Sequence, residues 1–142
     1  MKLKKLAAIS LLTIAALTAP RTVNCGVKSI PYKIRCTTYY ANEGDITTDG
    51  SKVHEGIVAG KKEWLGKTAV LYEITEEGSI GNVIGVYEFR DTGYGIDVPG
   101  SKYGTIQLGK SIDVYRNNLP RCHDWVNTYG DYVYIQIIEA EG

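Results

Sequence analysis

The sequence has no excess of either charge, few residues that bind metals and only one long hydrophobic run. Its 142 residues include 16 basic and 16 acidic side chains, two histidines and three cysteines. A chain without a strong positive charge is not expected to attract nucleic acid or anionic lipid over long range. His54 and His123 lack the neighbours of a zinc site, so we expect no metal and no cofactor.

The one hydrophobic run lies at the amino end. Three lysines at positions 2, 4 and 5 precede the uncharged residues 6–19, which is the pattern of a secretory signal peptide. The run has 14 residues, whereas a membrane-spanning helix needs about 20. We therefore expect a signal peptide and leader at residues 1–24, one compact domain at residues 25–142, and a location outside the cytoplasm or in the cell envelope. Lipidation of Cys25, which would hold the protein at the membrane surface, stays open as an alternative.

Removal of the signal would leave 16 − 3 = 13 basic side chains against 16 acidic ones, so the mature domain is mildly acidic. The three cysteines, Cys25, Cys36 and Cys122, permit at most one intramolecular disulfide. Cys36 and Cys122 are the favoured pair, because both lie inside the patterned domain and an exported protein meets oxidising conditions. Three free thiols are the alternative.

Short segments of strand character, separated by clusters of Gly, Asp, Asn and Ser, fill most of the domain. They are rich in β-branched and aromatic residues, and several alternate between apolar and polar side chains. Residues 76–79, Glu-Glu-Gly-Ser, are typical of a hairpin turn between two of these segments. The predicted strands are residues 34–40, 56–59, 68–75, 83–89, 111–115 and 132–138.

Only residues 118–129 favour a helix. Pro120 suits a first turn and Gly130 a stop, and Trp125 and Val126 are predicted to face the core. The charge-free segment 132–138 suits a strand that is covered on both faces. Many short strands with little helix indicate a small β-barrel.

Two aspartates lie in unusual positions for β-structure. Asp91 ends an apolar strand just before a glycine-rich turn, and Asp113 lies inside the β-branched and aromatic segment 111–115. An acid within a strand costs stability unless it is hydrogen-bonded or solvated. Either Asp91 caps a turn and Asp113 faces solvent or backbone donors, or the two acids belong to a functional site.

A set of short motifs connects these aspartates to the rest of the domain. In chain order they are Thr37-Thr38-Tyr39-Tyr40, Thr48-Asp49-Gly50, Gly56-Ile57-Val58-Ala59, Asp91-Thr92-Gly93 and Ile112-Asp113-Val114-Tyr115. This ordered set resembles the signature of the three-aspartate domain family. The resemblance covers residues 34–115, with 132–138 as the expected last strand.

The resemblance implies a six-stranded double-psi β-barrel, the fold of membrane-bound lytic transglycosylase A and rare lipoprotein A. Enzymes of this family cut the glycan strands of peptidoglycan and leave a 1,6-anhydro sugar end. By this resemblance Asp113 is the general acid and then the base of the reaction, and Asp91 is its supporting partner. The residues assigned to substrate binding are Tyr39, Thr92, Gly93, Tyr94 and Tyr115.

The chain departs from the family pattern in two places. The family's first aspartate, which normally follows the Gly-x-x-Ala strand, is absent, and Glu63 is the only acid close to Ala59. An insertion at residues 94–109 separates the two aspartate motifs and is predicted to be a surface loop that rims or blocks a groove.

The expected function is that of a secreted, monomeric peptidoglycan lytic transglycosylase, with peptidoglycan or a related cell-wall glycan as its partner. Two alternatives remain. One is a non-catalytic module of the same fold that binds glycan or protein, and the other is a secreted effector or inhibitor.

Overall fold

The structure is a computed structural model that describes residues 29–42 and 44–139. The predicted signal peptide and leader, and the candidate lipidation site Cys25, lie outside the described residues. Within them, six strands, one α-helix and a 3₁₀ helix at Lys62–Trp64 follow one another. The strands are β1 (Tyr32–Tyr39), β2 (Ile57–Ala59), β3 (Thr68–Ile74), β4 (Ile80–Asp91), β5 (Ser111–Tyr115) and β6 (Tyr132–Ile138), and the helix is α1 (Leu119–Tyr129).

The six strands close into a barrel in the order β1-β5-β2-β4-β3-β6. The β1–β5 and β2–β4 pairs are parallel, and the other four pairs are antiparallel. The predicted mainly-β barrel with one short helix near the carboxyl end is thereby confirmed. Because β2 pairs with both β4 and β5, strands that are distant in sequence lie side by side.

Alternating side chains of the strands fill the inside of the barrel. The largest of those with no exposed surface are Phe89, Ile57, Leu71, Ile112 and Ile135, and all but Ile57 belong to one contiguous hydrophobic cluster. Burial of apolar side chains of this size stabilises the fold by roughly 1.5–3 kcal/mol each.

Helix α1 adds Trp125 to this core. The Asn118 side chain accepts a hydrogen bond from the Arg121 amide at the amino end of the helix, and Gly130 ends the helix with a φ of 74°. Trp125 is 3% exposed and packs edge-on against Tyr87, with 6.0 Å between the ring centroids. The prediction for Val126 was wrong, since that side chain is 40% exposed. Consecutive helix residues are rotated by about 100° about the helix axis. When only a narrow face of the helix is buried, the neighbour of a buried residue therefore points to solvent.

Strand β6 also differs from its prediction. Val133 and Ile135 are fully buried, but Tyr132 and Ile138 on the other face are 46% and 40% exposed. The outside of the barrel at β6 is therefore open to solvent, and the prediction of a strand covered on both faces was wrong. Within the described residues, no helix combines the length and apolar character needed to span a membrane.

The predicted Cys36–Cys122 disulfide is absent, because both residues are buried free cysteines in the structure. Cys36 lies on the core side of β1 with no exposed surface, and Cys122 lies in the first turn of α1. The Cys36 Sγ instead lies 3.7 Å from the carbonyl oxygen of Thr37. Burial raises the pKa of the Cys36 thiol, so this side chain behaves as a small core hydrophobe.

Candidate functional site

Strand pairing brings Asp91 and Asp113 to the same part of the barrel. Ala59, on β2, pairs with Asp91 of β4 on one side and with Asp113 of β5 on the other. Thr37 of β1 pairs with Asp113 and completes a row across four strands. Two strand spacings place the aspartate Cα atoms roughly 10 Å apart. Ala59, with only a methyl side chain, lies between them in this row, and the Tyr39 side chain reaches Asp91 from β1.

The row lies on the outside of the barrel. Asp113 alternates along β5 with Ile112 and Val114, which have no exposed surface and belong to the core cluster. Side chains of consecutive strand residues point to opposite faces, so Asp113 points away from the core. It is half-buried there.

Asp91 is held by four hydrogen-bond donors. The Tyr39 hydroxyl donates to Oδ2 at 3.0 Å. Oδ1 accepts from the Thr48 amide at 3.1 Å, the Thr48 hydroxyl at 2.7 Å and the Thr92 amide at 3.0 Å. A carboxylate with this many donors is fixed in orientation, as a structural support of a site requires. Burial and the neighbouring Asp91 raise the pKa of Tyr39, so its hydroxyl remains a donor at any ordinary pH.

Asp113 has a different environment. The Thr37 hydroxyl donates to its Oδ1 at 2.9 Å, within the β1–β5 pair. The pKa of Asp113 is raised to about 6 by the balance of three effects: burial, the largest, raises it, the Thr37 hydrogen bond lowers it, and the negative charge of Asp91 raises it. Asp113 therefore carries a proton for part of the time near neutral pH, which suits a group that gives and takes protons.

A tight loop before β2 delivers Thr48 to Asp91. The Asp49 carboxylate accepts hydrogen bonds from the hydroxyls of Thr47 and Ser51, each at 2.6 Å, and from Arg90 Nη1 at 3.1 Å. These bonds lower the pKa of Asp49, with the Ser51 hydroxyl as the largest cause. The Asp49 amide also donates to the Arg90 carbonyl at 3.2 Å. The loop is thereby tied to the end of β4, next to Asp91.

The insertion at residues 94–109 packs beside the aspartate row. Its Ile106 is 4% exposed and its amide donates to the Tyr94 carbonyl at 3.0 Å. The Ser111 hydroxyl, on the same face of β5 as Asp113, donates to Thr105 Oγ1 at 2.8 Å. Because Asp113 keeps part of its surface exposed, the insertion borders the row without sealing it.

The five residues assigned to substrate binding have different surroundings. Tyr39 and Thr92 hydrogen-bond to Asp91, and a Cβ at Gly93 would lie 3.3 Å from Ile106. Tyr94 is 43% exposed, whereas Tyr115 is 4% exposed and packs edge-on against Tyr39 at 5.5 Å between centroids. Of Tyr94 and Tyr115, Tyr94 is the one whose side chain is accessible to solvent.

Three residues that touch or separate the aspartates were not singled out from the sequence. They are Thr37, Thr48 and Ala59, and each lies within a motif of the family resemblance. Their individual roles depend on strand register and loop closure, which no sequence signal specifies.

At the end of β2, where the family pattern has its first aspartate, this chain has Gly60 and Lys61. A Cβ at Gly60 would lie 2.5 Å from the Phe89 ring and 2.8 Å from Trp64, so only glycine fits there. Lys61 follows, with its amine 5.1 Å from the Trp64 ring centroid. Glu63 is an exposed residue of the 3₁₀ helix. Among the hydrogen bonds of the described residues, none joins a third acid to Asp91 or Asp113.

Two cavities, of about 360 and 280 Å³, lie against α1, and neither is lined by Asp91 or Asp113. The first lies beside the β3–β4 hairpin and the second between α1 and Tyr87 of β4. In the part of the chain that the structure describes, no group of three or more His, Cys, Asp or Glu side chains could hold a metal ion. Asp91 and Asp113 are both partly exposed, so the aspartate row is accessible from solvent.

Comparison of this chain with family models, curated proteins and solved structures finds no significant match.

Proposed function

We propose that this protein is an exported, cell-wall-active enzyme that cleaves the glycan strand of peptidoglycan as a lytic transglycosylase. The observation that carries the proposal is the pairing of Asp91 and Asp113 with opposite sides of Ala59. A six-stranded barrel with this row fits the double-psi β-barrel that the motif resemblance implies.

Asp113 is the general acid of the proposed reaction. A sugar oxygen is a poor leaving group, so a carboxylic acid must protonate it as the glycosidic bond breaks. The pKa of Asp113, raised to about 6 mainly by burial, supports this role because a useful fraction is protonated at mildly acidic to neutral pH. An exposed aspartate, with its ordinary pKa of about 3.9, would hold almost no proton there.

Asp91 is the supporting group. Its four donors fix its carboxylate, and its negative charge raises the pKa of Asp113. The same charge is suited to stabilise the positive character that develops on the sugar ring as the bond breaks.

The proposed reaction needs no activated water. Asp113 gives its proton to the glycosidic oxygen, and the bond from that oxygen to C1 of the muramic acid breaks. The resulting Asp113 carboxylate then takes the proton of the C6 hydroxyl of the same sugar, whose oxygen bonds to C1 and closes the 1,6-anhydro ring. A hydrolase of the inverting type would require a second carboxylate to activate water, so the absence of the family's first aspartate does not remove an essential proton carrier.

Digestion of purified peptidoglycan tests the proposal. The mature wild-type protein should release soluble fragments with 1,6-anhydro ends, detected by mass spectrometry, and Asp113→Asn should release none. Asp124→Asn, a substitution at an exposed position of α1, is the matched control and should behave as wild type.

Other results would identify the alternatives. Fragments with ordinary reducing ends would indicate hydrolysis and contradict transglycosylation. Binding of peptidoglycan without cleavage by either protein would contradict an enzyme and favour a non-catalytic module. Neither binding nor cleavage would favour a secreted effector or inhibitor.

A further inference from the structure

We infer that the insertion supplies an additional sugar subsite, with the ring of Tyr94 as its platform, for a glycan strand that lies across the aspartate row. This inference rests on the proposed function for its ligand class, since it assumes that the site takes a glycan. It extends the assignment of Tyr94 to substrate binding into a distinct subsite built by the insertion at residues 94–109.

The Tyr94 ring is held at both ends. Its hydroxyl donates to Asp97 Oδ1 at 2.9 Å. At the other end, a Cβ at Gly104 would lie 2.7 Å from Tyr94 Cδ1 and closer still to the Tyr94 carbonyl oxygen, so the ring rests against a position that only glycine can occupy. A ring fixed in this way loses little conformational entropy when a ligand stacks on it.

The platform is exposed although it is fixed. Tyr94 retains 43% of its surface exposed, while Ile106 of the same loop retains 4%. A tyrosine needed only for packing would be expected to turn its ring toward that apolar anchor. The exposed ring instead offers an apolar surface bounded by polar groups, the combination that binds the C–H face of a sugar ring.

The loop that carries Tyr94 is attached to the face of β5 that carries Asp113. Tyr94 is three residues beyond Asp91, so its Cα lies within about 11 Å of the Asp91 Cα. The Ser111–Thr105 hydrogen bond ties the same loop to the face of β5 that carries Asp113. A short oligosaccharide bound at the row can therefore reach Tyr94.

The charge of the neighbourhood favours a neutral stacking ligand. The Asp97 carboxylate, which accepts from the Tyr94 hydroxyl, keeps a negative charge beside the ring that repels anionic groups, and the loop's Lys102 lies 5.1 Å from the ring centroid of Tyr103. Tyr103 is itself 47% exposed. N-acetylated sugars carry no charge on their rings, so we expect the platform to bind the sugar backbone and not the peptide stems.

Binding of soluble N-acetylglucosamine oligomers, measured by calorimetry, tests the subsite without any need for cleavage. All proteins carry Asp113→Asn, so that a bound oligomer is not consumed. Tyr94→Ala should weaken binding of the tetramer roughly five- to tenfold, the loss expected for one stacking contact. Tyr94→Phe, which keeps the ring and loses only the Asp97 hydrogen bond, should stay within about twofold of the parent.

Tyr132→Ala is the matched control. Tyr132 is 46% exposed with a lysine amine 5.0 Å from its ring centroid, but it lies on β6, three positions from β2 in the six-stranded ring. This substitution should leave tetramer binding unchanged. Thermal unfolding of each variant verifies that the fold is intact.

The outcomes separate the subsite from the proposed catalysis. Unchanged tetramer binding by Tyr94→Ala, or equal losses in Tyr94→Ala and Tyr132→Ala, would overturn the subsite even if the wild type cleaves peptidoglycan. A loss specific to Tyr94→Ala would support the subsite even if the wild type cleaves nothing. A parent protein that binds no oligomer would overturn the subsite, and the peptidoglycan digestion then decides separately whether the catalytic proposal stands.

Discussion

The hydroxyl of Thr37 donates a 2.9 Å hydrogen bond to Oδ1 of Asp113, its direct partner across the parallel β1–β5 pair. A donor to an acid stabilises the ionised form and lowers the pKa, whereas burial favours the neutral form and raises it. At Asp113 burial prevails, and the pKa is about 6. The Thr37 hydrogen bond thereby limits how far burial raises the pKa of Asp113.

Substitution of Thr37 by valine should raise the pKa of Asp113 above about 6, because the opposing hydrogen bond is lost and the shape of the side chain is kept. If protonated Asp113 is the general acid, the fall in glycan cleavage at increasing pH should move to higher pH in Thr37→Val. A pH profile of cleavage by both proteins measures this change. A profile shifted to lower pH would contradict the role of the hydrogen bond.

Asp113→Asn should stabilise the folded protein at neutral pH. A folded pKa of about 6 against an ordinary 3.8 means that ionisation of Asp113 costs about 2 to 3 kcal/mol of stability. Because the folded pKa is raised, Asp113 costs no stability below pH 3.8, and the cost grows as pH rises from 3.8 through about 6. Asparagine cannot ionise and can still accept from Thr37, so the variant should gain stability over wild type between pH 4 and 7.

Urea unfolding at a series of pH values measures this difference, with Asp124→Asn as the control of equal chemistry. The gain should be small near pH 4 and largest above pH 6.5. A gain that does not vary with pH would show that Asp113 titrates normally.

Tyr39→Phe should destabilise the protein and disorganise the site, because it removes one donor from Asp91 and keeps the ring packed against Tyr115. A hydrogen bond to a charged acceptor contributes about 1.5–3 kcal/mol. Denaturant unfolding measures the loss, and Tyr132→Phe, at an exposed position of β6, is the control. Equal stability of Tyr39→Phe and wild type would indicate that water replaces the lost donor.

Cys36 and Cys122 should remain unreactive thiols in the folded protein. Both are buried, and burial raises the pKa of Cys36, so little of the reactive thiolate is present. In a Cys25→Ser background, Ellman's reagent should modify neither residue in buffer and both in guanidinium chloride. An intact mass lower by two hydrogens, with no reaction after unfolding, would instead establish the disulfide that the sequence predicts.

Local sequence patterns predicted the strands well where short-range signals define them. The predicted segments 111–115 and 132–138 match β5 and β6 at both ends, because turn residues bound runs of β-branched and aromatic side chains. Strand β4 extends beyond the predicted 83–89 to Ile80–Asp91, since pairing with β3 reaches Ile74 opposite Ile80. At its other end β4 reaches Asp91, which pairs with Ala59 of β2, and the local pattern predicts a strand end at Asp91 without specifying this partner.

The candidate acids were also identifiable from the sequence, because aspartate within or at the end of an apolar strand is unusual enough to need a reason. The partners of these acids were not. Thr48 and Thr37 are ordinary polar residues in the sequence. Their hydroxyls donate to the carboxyl groups of Asp91 and Asp113 only because the fold of the loop and the strand register bring them there. The disulfide prediction failed for a related reason, since two cysteines in one domain reveal nothing about whether their side chains meet.

The sequence by itself determined a chain of short strands with one helix, two aspartates placed within β-structure and a near balance of charges. Those properties follow from side-chain periodicity and turn residues, which act over a few positions. The tertiary structure decided that Ala59 lies between Asp91 and Asp113, that burial raises the pKa of Asp113, and that Tyr94 is exposed. Closure of the barrel fixes these relations because it sets the register between strands that are far apart in the chain.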